Sequence, residues 1–494
     1  MTLTPDFDVA ALLARLAAVP QRITADSRLV RAGDAFAAFP GYETDGRAFI
    51  PDAIARGAGA VLWEALAFHW DAAWRVSHVA VDGLKAKLGA IADHIYGHPS
   101  RELFVVGVTG TNGKTSCTHW IAQCFDACGR KSGILGTLGS GLLGALDPSA
   151  RTTPDAAAVH ETLARLKGDG ARAVAMEVSS HGLDQGRVNG VEFEVALFTN
   201  LTRDHLDYHG TMASYGAAKA RLVAWPTLEA CVINTDDPFG RTLAAEARAR
   251  GQNVLTYGLA GADIVATRVE PTQAGIVLAL ATPWGRGEIA PRLSGTFNVS
   301  NVLGVLGVLL SSGIEVEAAL AALVHVTPPA GRMQRIGGGS RPLVVVDYAH
   351  TPDALEKALD ALRPAVVAGG ELVCVFGCGG DRDPGKRPEM GRIAAERSDR
   401  IIVTNDNPRR EDPAAIAAAV VSGIRAAGGR NFTVELDRAT AIRTAVASAK
   451  RGDVVLIAGK GHEDYQERDG VRTPFSDAEV AAAALTGPPR KEGA

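Results

Sequence analysis

The residues Gly110-Thr111-Asn112-Gly113-Lys114-Thr115-Ser116 combine glycines, a lysine and hydroxyls in an order suited to phosphate chemistry. Glycines let backbone N–H groups close round phosphate oxygens, and a helix starting there adds a favourable dipole. Lys114 is placed to bridge the β- and γ-phosphates, and the Thr115 hydroxyl to hold magnesium. The full GxxxxGK[ST] spacing needs glycine at position 108, where this chain has Val108. Only a shorter GTxGK[ST] core survives. A chance glycine turn is the bland alternative, and the order strand, loop, helix argues against it. Such a loop implies ATP or another nucleoside triphosphate without naming the bond made.

Further reactive types follow. Glu177 ends an apolar run in MEVSSHG, His205 lies in TNLTRDHLD, and Lys219 falls in the helical stretch Tyr215–Leu222. Glu177 and His205 are candidate magnesium ligands beside the phosphates, with Lys219 nearby as an ammonium or a carbamate. A competing reading makes His205 and His209 a zinc pair on one helix, although HExxH and a third ligand are absent. Plain surface histidines are the remaining alternative. The most unusual strings of the last third are DYAHTPD, GCGGDRD, NDNPR and GKGHE. A dinucleotide fingerprint fails there, because Arg382 stands where GxGxxG needs its last glycine.

These residues need elements to position them. At 494 residues the chain exceeds one hydrophobic core, and roughly 150 residues per domain suggests about three. Apolar runs at Leu103–Val108, Ala173–Val178, Val195–Asn200 and Cys231–Asn234, separated by helical stretches, predict a wound α/β core. The prolines and glycine of Thr327–Gly331 mark a boundary. The alternation then restarts with strands at Leu343–Asp347, Leu372–Phe376, Ile401–Thr404 and Val454–Ala458. Ligands of open α/β sheets sit beyond the carboxyl ends of strands, where the unusual strings fall.

Apolar residues make up 47% and charged residues 21%, an ordinary globular composition. A net charge of -4 gives no reason to expect nucleic acid or an anionic membrane as a partner. The N-terminus lacks the basic, apolar layout of a signal peptide, and the apolar run Val302–Leu310 falls short of the roughly 18 residues that span a bilayer. A cytoplasmic location is expected, with reduced cysteines. Cys117, Cys124 and Cys128 recur at helical spacing and read as buried packing, whereas Cys374 and Cys378 make only a weak zinc motif. The tail from Gly487 is expected to fray.

Taken in order, the strings resemble the Mur ligase superfamily over nearly the whole chain. They are DSR at Asp26–Arg28, GTNGKTS at Gly110–Ser116, TTP at Thr152–Pro154, EVSSHGLDQGR at Glu177–Arg187 and NLTRDHLDYHG at Asn200–Gly210. GTFNVSN at Gly295–Asn301, GRMQ at Gly331–Gln334, DYAHTPDAL at Asp347–Leu355, GCGGDRDPGKRP at Gly377–Pro388, DNPR at Asp406–Arg409 and GKGHE at Gly459–Glu463 complete the set.

The resemblance implies three α/β domains: a UDP-substrate-binding domain over 1–98, a central P-loop-type ATPase domain over 99–331, and a Rossmann-like amino-acid-binding domain over 332–494. Ser27 and Tyr42, Glu43 and Thr44 are implied for the UDP end, and Thr152, Thr153, Ser179, Gln185 and Arg187 for a muramoyl-dipeptide. Asn298, Arg332 and Asp347 are implied around ATP. Lys114, His205 and Lys219 carry the catalysis, with Lys219 carbamylated. Thr115, Glu177, His205 and Lys219 hold Mg2+. Arg151 departs from the asparagine that several relatives carry before the paired threonines.

The implied reaction is peptidoglycan precursor synthesis by a monomer. ATP activates the D-Glu γ-carboxylate of UDP-N-acetylmuramoyl-L-Ala-D-Glu, and an amine then captures it. Arg409 presents a planar fork for a carboxylate, which meso-diaminopimelate has at its far end and lysine lacks. Arg382, Asp406, Asn407, Pro408, Arg409, Gly459 and Glu463 are expected to form that pocket, Glu463 facing an ammonium. The same reaction with L-lysine and a folylpolyglutamate- or cyanophycin-type ligase are the alternatives.

Overall fold

The computed structural model describes residues 7–42, 44–149, 151–272 and 275–486. Glu43 and the tail from Gly487 therefore lie outside the described residues. The chain divides into two compact units, Met1–Val265 with Leu303–Ala322, and Ala266–Val302 with Leu323–Ala494.

The first unit begins with a parallel four-stranded sheet, in the order Ile23–Thr24, Ala35–Ala38, Ala60–Glu64, Ser77–Val81. Both faces are covered. Ala35, Ala37 and Leu62 pack with residues of the Leu84–Ile95 helix, and Phe36, Val61 and Trp63 with Ile50 and Ala53. Burial on both faces accounts for the apolar runs of Ala35–Ala38 and Ala60–Glu64, whereas the edge strand Ser77–Val81 is partly exposed.

A second sheet of the same unit runs Val254–Gly258, Ala230–Asn234, Val195–Phe198, Phe104–Thr109, Ala173–Glu177, Ser132–Gly136 in parallel, then turns antiparallel through Gly139–Leu142 and Ala145–Asp147. Phe104–Thr109 is central, with Val108 paired to Leu197 on one side and Glu177 on the other. Val108 is fully buried in that strand. The glycine loop therefore starts after position 108, and a glycine there has no work to do. The Lys114–Ala127 helix follows and buries Cys117, Trp120, Cys124 and Phe125. Burial holds for only two of its three cysteines, because Cys128 caps the C-terminus and is partly exposed.

The second unit centres on a sheet in the order Leu343–Asp347, Val454–Ala458, Leu372–Phe376, Arg400–Val403, Phe432–Val434, all parallel, with Gln334–Gly337 antiparallel at its edge. Three of these strands coincide with the apolar runs expected from sequence. Val195–Asn200 was expected in the first unit but stops at Phe198. Thr199 still donates its N–H to Thr109 O, while Asn200 turns to the glycine loop through its O and Oδ1. Among the described residues, no helix is long and apolar enough to cross a membrane.

Candidate active site

In the first unit the loop is held from the side. Thr111 N–H donates to Asn200 O at 2.8 Å, Asn112 N–H to Asn200 Oδ1 at 3.0 Å, and Thr199 Oγ1 to Asn112 O at 2.6 Å. Gly110 has φ +150°, and a Cβ there would lie 1.8 Å from Thr199 Oγ1, so no other residue fits. Lys114, Thr115 and Ser116 open the helix, and the N-terminus of a helix is a place suited to an anion.

Two lysines converge on one carbonyl. Lys114 Nζ donates to Gly110 O at 2.8 Å, and Lys219 Nζ to the same oxygen at 2.7 Å. Lys219 is 1% exposed. Burial, and then the charge of Lys114, hold its pKa well below that of an ordinary lysine, which favours the free amine. Burial is the largest cause of the lowered His205 pKa; Asp204 opposes it, and the charge of Lys114 adds to it.

Glu177, 1% exposed, receives Thr115 Oγ1 at 3.1 Å, Thr137 N–H at 2.8 Å and Thr137 Oγ1 at 3.2 Å. One carboxylate among hydroxyls is a hard-oxygen set of the kind magnesium takes. The zinc-pair reading of the histidines fails on backbone geometry. His205 has φ +52° and precedes the short Leu206–His209 helix, while the His209 ring bonds Ser180 Oγ at 2.9 Å. Among the described residues, no group of three or more His, Cys, Asp or Glu side chains could hold a metal ion.

Beside the loop, Thr153 Oγ1 donates to Glu177 O and Ser179 Oγ, and Arg187 donates to Thr153 O at 2.8 Å and Gln185 Oε1 at 2.6 Å. Thr153, Ser179, Gln185 and Arg187 thus form one network, which Thr152 joins through Thr137 Oγ1 at 3.0 Å. Tyr42 lines a cavity of about 630 Å3 with Asp184, Tyr208, His209 and Arg221. Ser27 is buried, and Thr44 accepts Gly41 N–H through its carbonyl.

In the second unit, Asp347 accepts the N–H groups of Met333 and Ala349, each at 2.8 Å, while burial pushes its pKa up. The Arg332 guanidinium lies over the Tyr348 ring at 4.6 Å. Asn298 bonds Ser294 O at 2.8 Å and Asn301 at 3.0 Å.

The GCGG and DNPR strings meet by close backbone approach. A Cβ at Gly380 would lie 2.0 Å from Pro408 O, and in the GKGHE string one at Gly459 would meet the Asp406 side chain, 2.6 Å from Oδ2. Arg409 has φ +50° and donates to Gly380 O at 2.7 Å. Asn407 Nδ2 donates to Glu463 Oε2 at 2.9 Å. Asp406, Asn407, Pro408, Arg409, Gly459 and Glu463 are thereby gathered beyond the carboxyl ends of Arg400–Val403 and Val454–Ala458, the two strands that flank Leu372–Phe376. Arg382 is not held with them: it is exposed, and its guanidinium donates to Asp381 O.

The Mur ligase middle domain pattern matches residues 108–309, the Mur ligase glutamate ligase domain residues 331–461, and the Mur ligase family catalytic domain residues 21–96. The chain belongs to the Mur ligase family. It is 52% identical to the UDP-N-acetylmuramoyl-L-alanyl-D-glutamate–2,6-diaminopimelate ligase of Chromobacterium violaceum, over 98% of each chain. It is 54% identical to the ligase of that name from Pseudomonas aeruginosa, over 94% of this chain and 95% of the relative. A solved structure of a ligase so named superposes with TM-score 0.70 at 36% identity, covering 94% of this chain and 95% of that one.

Three α/β domains make up this Mur ligase. Its geometry also names side chains that sequence reasoning passed over. Thr137 couples Glu177 to Thr152. Tyr208 donates to Asp184 Oδ2 at 2.8 Å and receives Gln185 Nε2 at 3.2 Å. Lys460, inside GKGHE, is fully buried against Glu463. Burial, and then the charge of Arg151, lower the Arg187 pKa, so the departure from asparagine adds positive charge beside the Thr153–Arg187 network.

Proposed function

We propose that the chain is an ATP-dependent amide ligase joining meso-2,6-diaminopimelate to the D-Glu γ-carboxylate of UDP-N-acetylmuramoyl-L-Ala-D-Glu. The observation that carries the reading is the gathering of Arg409, Asn407, Gly459 and Glu463 at the strand ends of the second unit, in a chain over half identical to ligases so named. Arg409 supplies a fork for the distal carboxylate, and Glu463 an acceptor for an ammonium.

The carboxylate oxygen attacks the γ-phosphorus of ATP, ADP departs, and an acyl phosphate forms. The amine then attacks the acyl carbon through a tetrahedral intermediate, expelling phosphate and losing a proton. Charge develops on phosphoryl oxygens, so Lys114 and the first-turn N–H groups act by electrostatic stabilisation. His205 lies in the field of these charges. Thr115, Glu177, His205 and a carbamylated Lys219 would hold Mg2+, which supplies further positive charge at the phosphates.

Lys219 is suited to carbamylation because its buried free amine can add CO2 with loss of a proton. Thr153, Ser179, Gln185 and Arg187 bind the muramoyl-dipeptide, with Ser27, Tyr42 and Thr44 at the UDP end. Asn298, Arg332 and Asp347 hold the nucleotide. The enzyme acts as a cytoplasmic monomer.

Mass analysis of a reaction containing ATP, UDP-N-acetylmuramoyl-L-Ala-D-Glu and an equimolar mixture of meso-diaminopimelate and L-lysine tests the reading. The diaminopimelate adduct is expected to dominate. A dominant lysine adduct would sink the specificity, and no adduct would sink the reaction.

A further inference from the structure

Lys460 lies in the GKGHE loop with no exposed surface, among groups that the diaminopimelate reading places around the incoming amino acid. Its Nζ donates to Glu463 Oε2 at 2.8 Å and to Asn407 Oδ1 at 3.1 Å, and stands 5.3 Å from the centre of the Tyr465 ring. Asn407, 1% exposed, accepts a second donor at the same oxygen, the Glu467 N–H at 2.9 Å. Two donors on Oδ1 fix the amide orientation, because the flipped amide would set its own N–H groups against an ammonium and a peptide N–H. The Asn407 amide nitrogen is therefore committed to Glu463 Oε2, at 2.9 Å.

Glu463 consequently has one oxygen anchored twice. Its Oε1 makes no hydrogen bond among the described residues, and the side chain keeps 19% exposure. A buried ion pair is a poor device for stability alone, since apolar replacements often serve as well. It is a good device for holding a carboxylate rotamer before a ligand arrives, which removes ordering cost from binding.

We propose that Lys460 is a positioning residue for the amino-acid substrate. Its buried ammonium locks Asn407 and Glu463 so that Glu463 Oε1 is presented to the substrate's ammonium group. This inference rests on the diaminopimelate reading and adds to it a residue that acts through Glu463 rather than on the substrate.

The test is a double-mutant cycle on the full chain with Lys460→Met, Glu463→Gln and their combination. Each is assayed for KM of meso-diaminopimelate, KM of ATP and kcat. Lys460→Met is expected to raise the diaminopimelate KM tenfold or more, leaving the ATP KM within about twofold. In the Glu463→Gln background the same change should have less than a threefold effect, because the group Lys460 acts through is already lost.

An unchanged diaminopimelate KM, or penalties that multiply in the double variant, would overturn the proposal. Should Lys460→Met fold poorly by thermal melt, Lys460→Gln, which keeps polarity but not charge, runs through the same cycle with the same criteria. The wild-type enzyme separates the two levels of argument. If it forms no diaminopimelate product, the functional reading falls first. If it does while the cycle is additive, only the role of Lys460 falls.

Discussion

Arg409 holds a left-handed backbone conformation that few arginines adopt, and its neighbours Asn407 and Pro408 are buried, so its direction is set by the fold rather than by solvent. Arg409→Ala should raise the KM for meso-diaminopimelate at least tenfold, a charge-assisted bond being worth roughly 1.5–3 kcal/mol, and leave the ATP KM within about twofold. Steady-state kinetics with each substrate varied in turn checks this. Unchanged diaminopimelate kinetics would remove Arg409 from the pocket.

His181 gives a second prediction at the same scale. Burial, and then the charges of His205 and His209, push its pKa down to about 4, whereas an unfolded histidine titrates near 6.5. Between those values the unfolded chain takes a proton that the folded chain refuses, so folding stability falls as pH drops from 6.5 toward 4. Thermal melts of His181→Gln against wild type should show a shallower acid limb in the variant. Parallel limbs would mean that His181 is protonated in the fold.

Among the elements, the helices Arg438–Ser448 and Asp477–Thr486 are joined by a fully buried ion pair. Arg438 bonds both Asp477 oxygens at 2.7 Å and also donates to Asn405 O and Ala458 O, each one residue ahead of the pocket strings. Arg438→Met strands a buried carboxylate and should cost roughly 3–5 kcal/mol in chemical denaturation, with an accompanying loss of diaminopimelate affinity.

Lys219, in the Met212–Val223 helix, predicts the opposite sign for stability. Its lowered pKa means that the unfolded lysine, titrating near 10.5, is the better proton acceptor, so the fold bears a cost below that pH which fades as pH rises toward it. In CO2-free buffer at neutral pH, Lys219→Met should raise Tm by a few degrees, roughly 2–4 °C per kcal/mol relieved, while abolishing ATP turnover. A lower Tm would contradict the buried-amine account.

What was legible in the sequence follows from the same physics. Strands such as Leu372–Phe376 are apolar runs bounded by glycine or polar residues, and their identity is local. The glycines at 110, 380 and 459 stand out because each meets a steric demand that favours glycine: backbone contact at Gly380, and positive φ beside a side-chain oxygen at Gly110 and Gly459. Thr137 with Glu177, Tyr208 with Asp184, and Arg438 with Asp477 are pairings between distant segments, and no periodicity marks them. Arg382, expected in the pocket from the resemblance, has an exposed side chain that donates to Asp381 O, a placement no local pattern marks.

For the whole molecule, the phosphate loop with Glu177 and Lys219 belongs to one compact unit, and Arg409 with Glu463 to the other. In the proposed reaction the first set serves nucleotide chemistry and the second the choice of amine. The central claim is that ATP turnover is committed to diaminopimelate addition. Phosphate release from ATP, measured with UDP-N-acetylmuramoyl-L-Ala-D-Glu and magnesium, tests it in parallel reactions with meso-diaminopimelate, with L-lysine and with no amine. The account predicts fast release with diaminopimelate and release near background in the other two. Equal or faster release with lysine, or none with diaminopimelate, would contradict it.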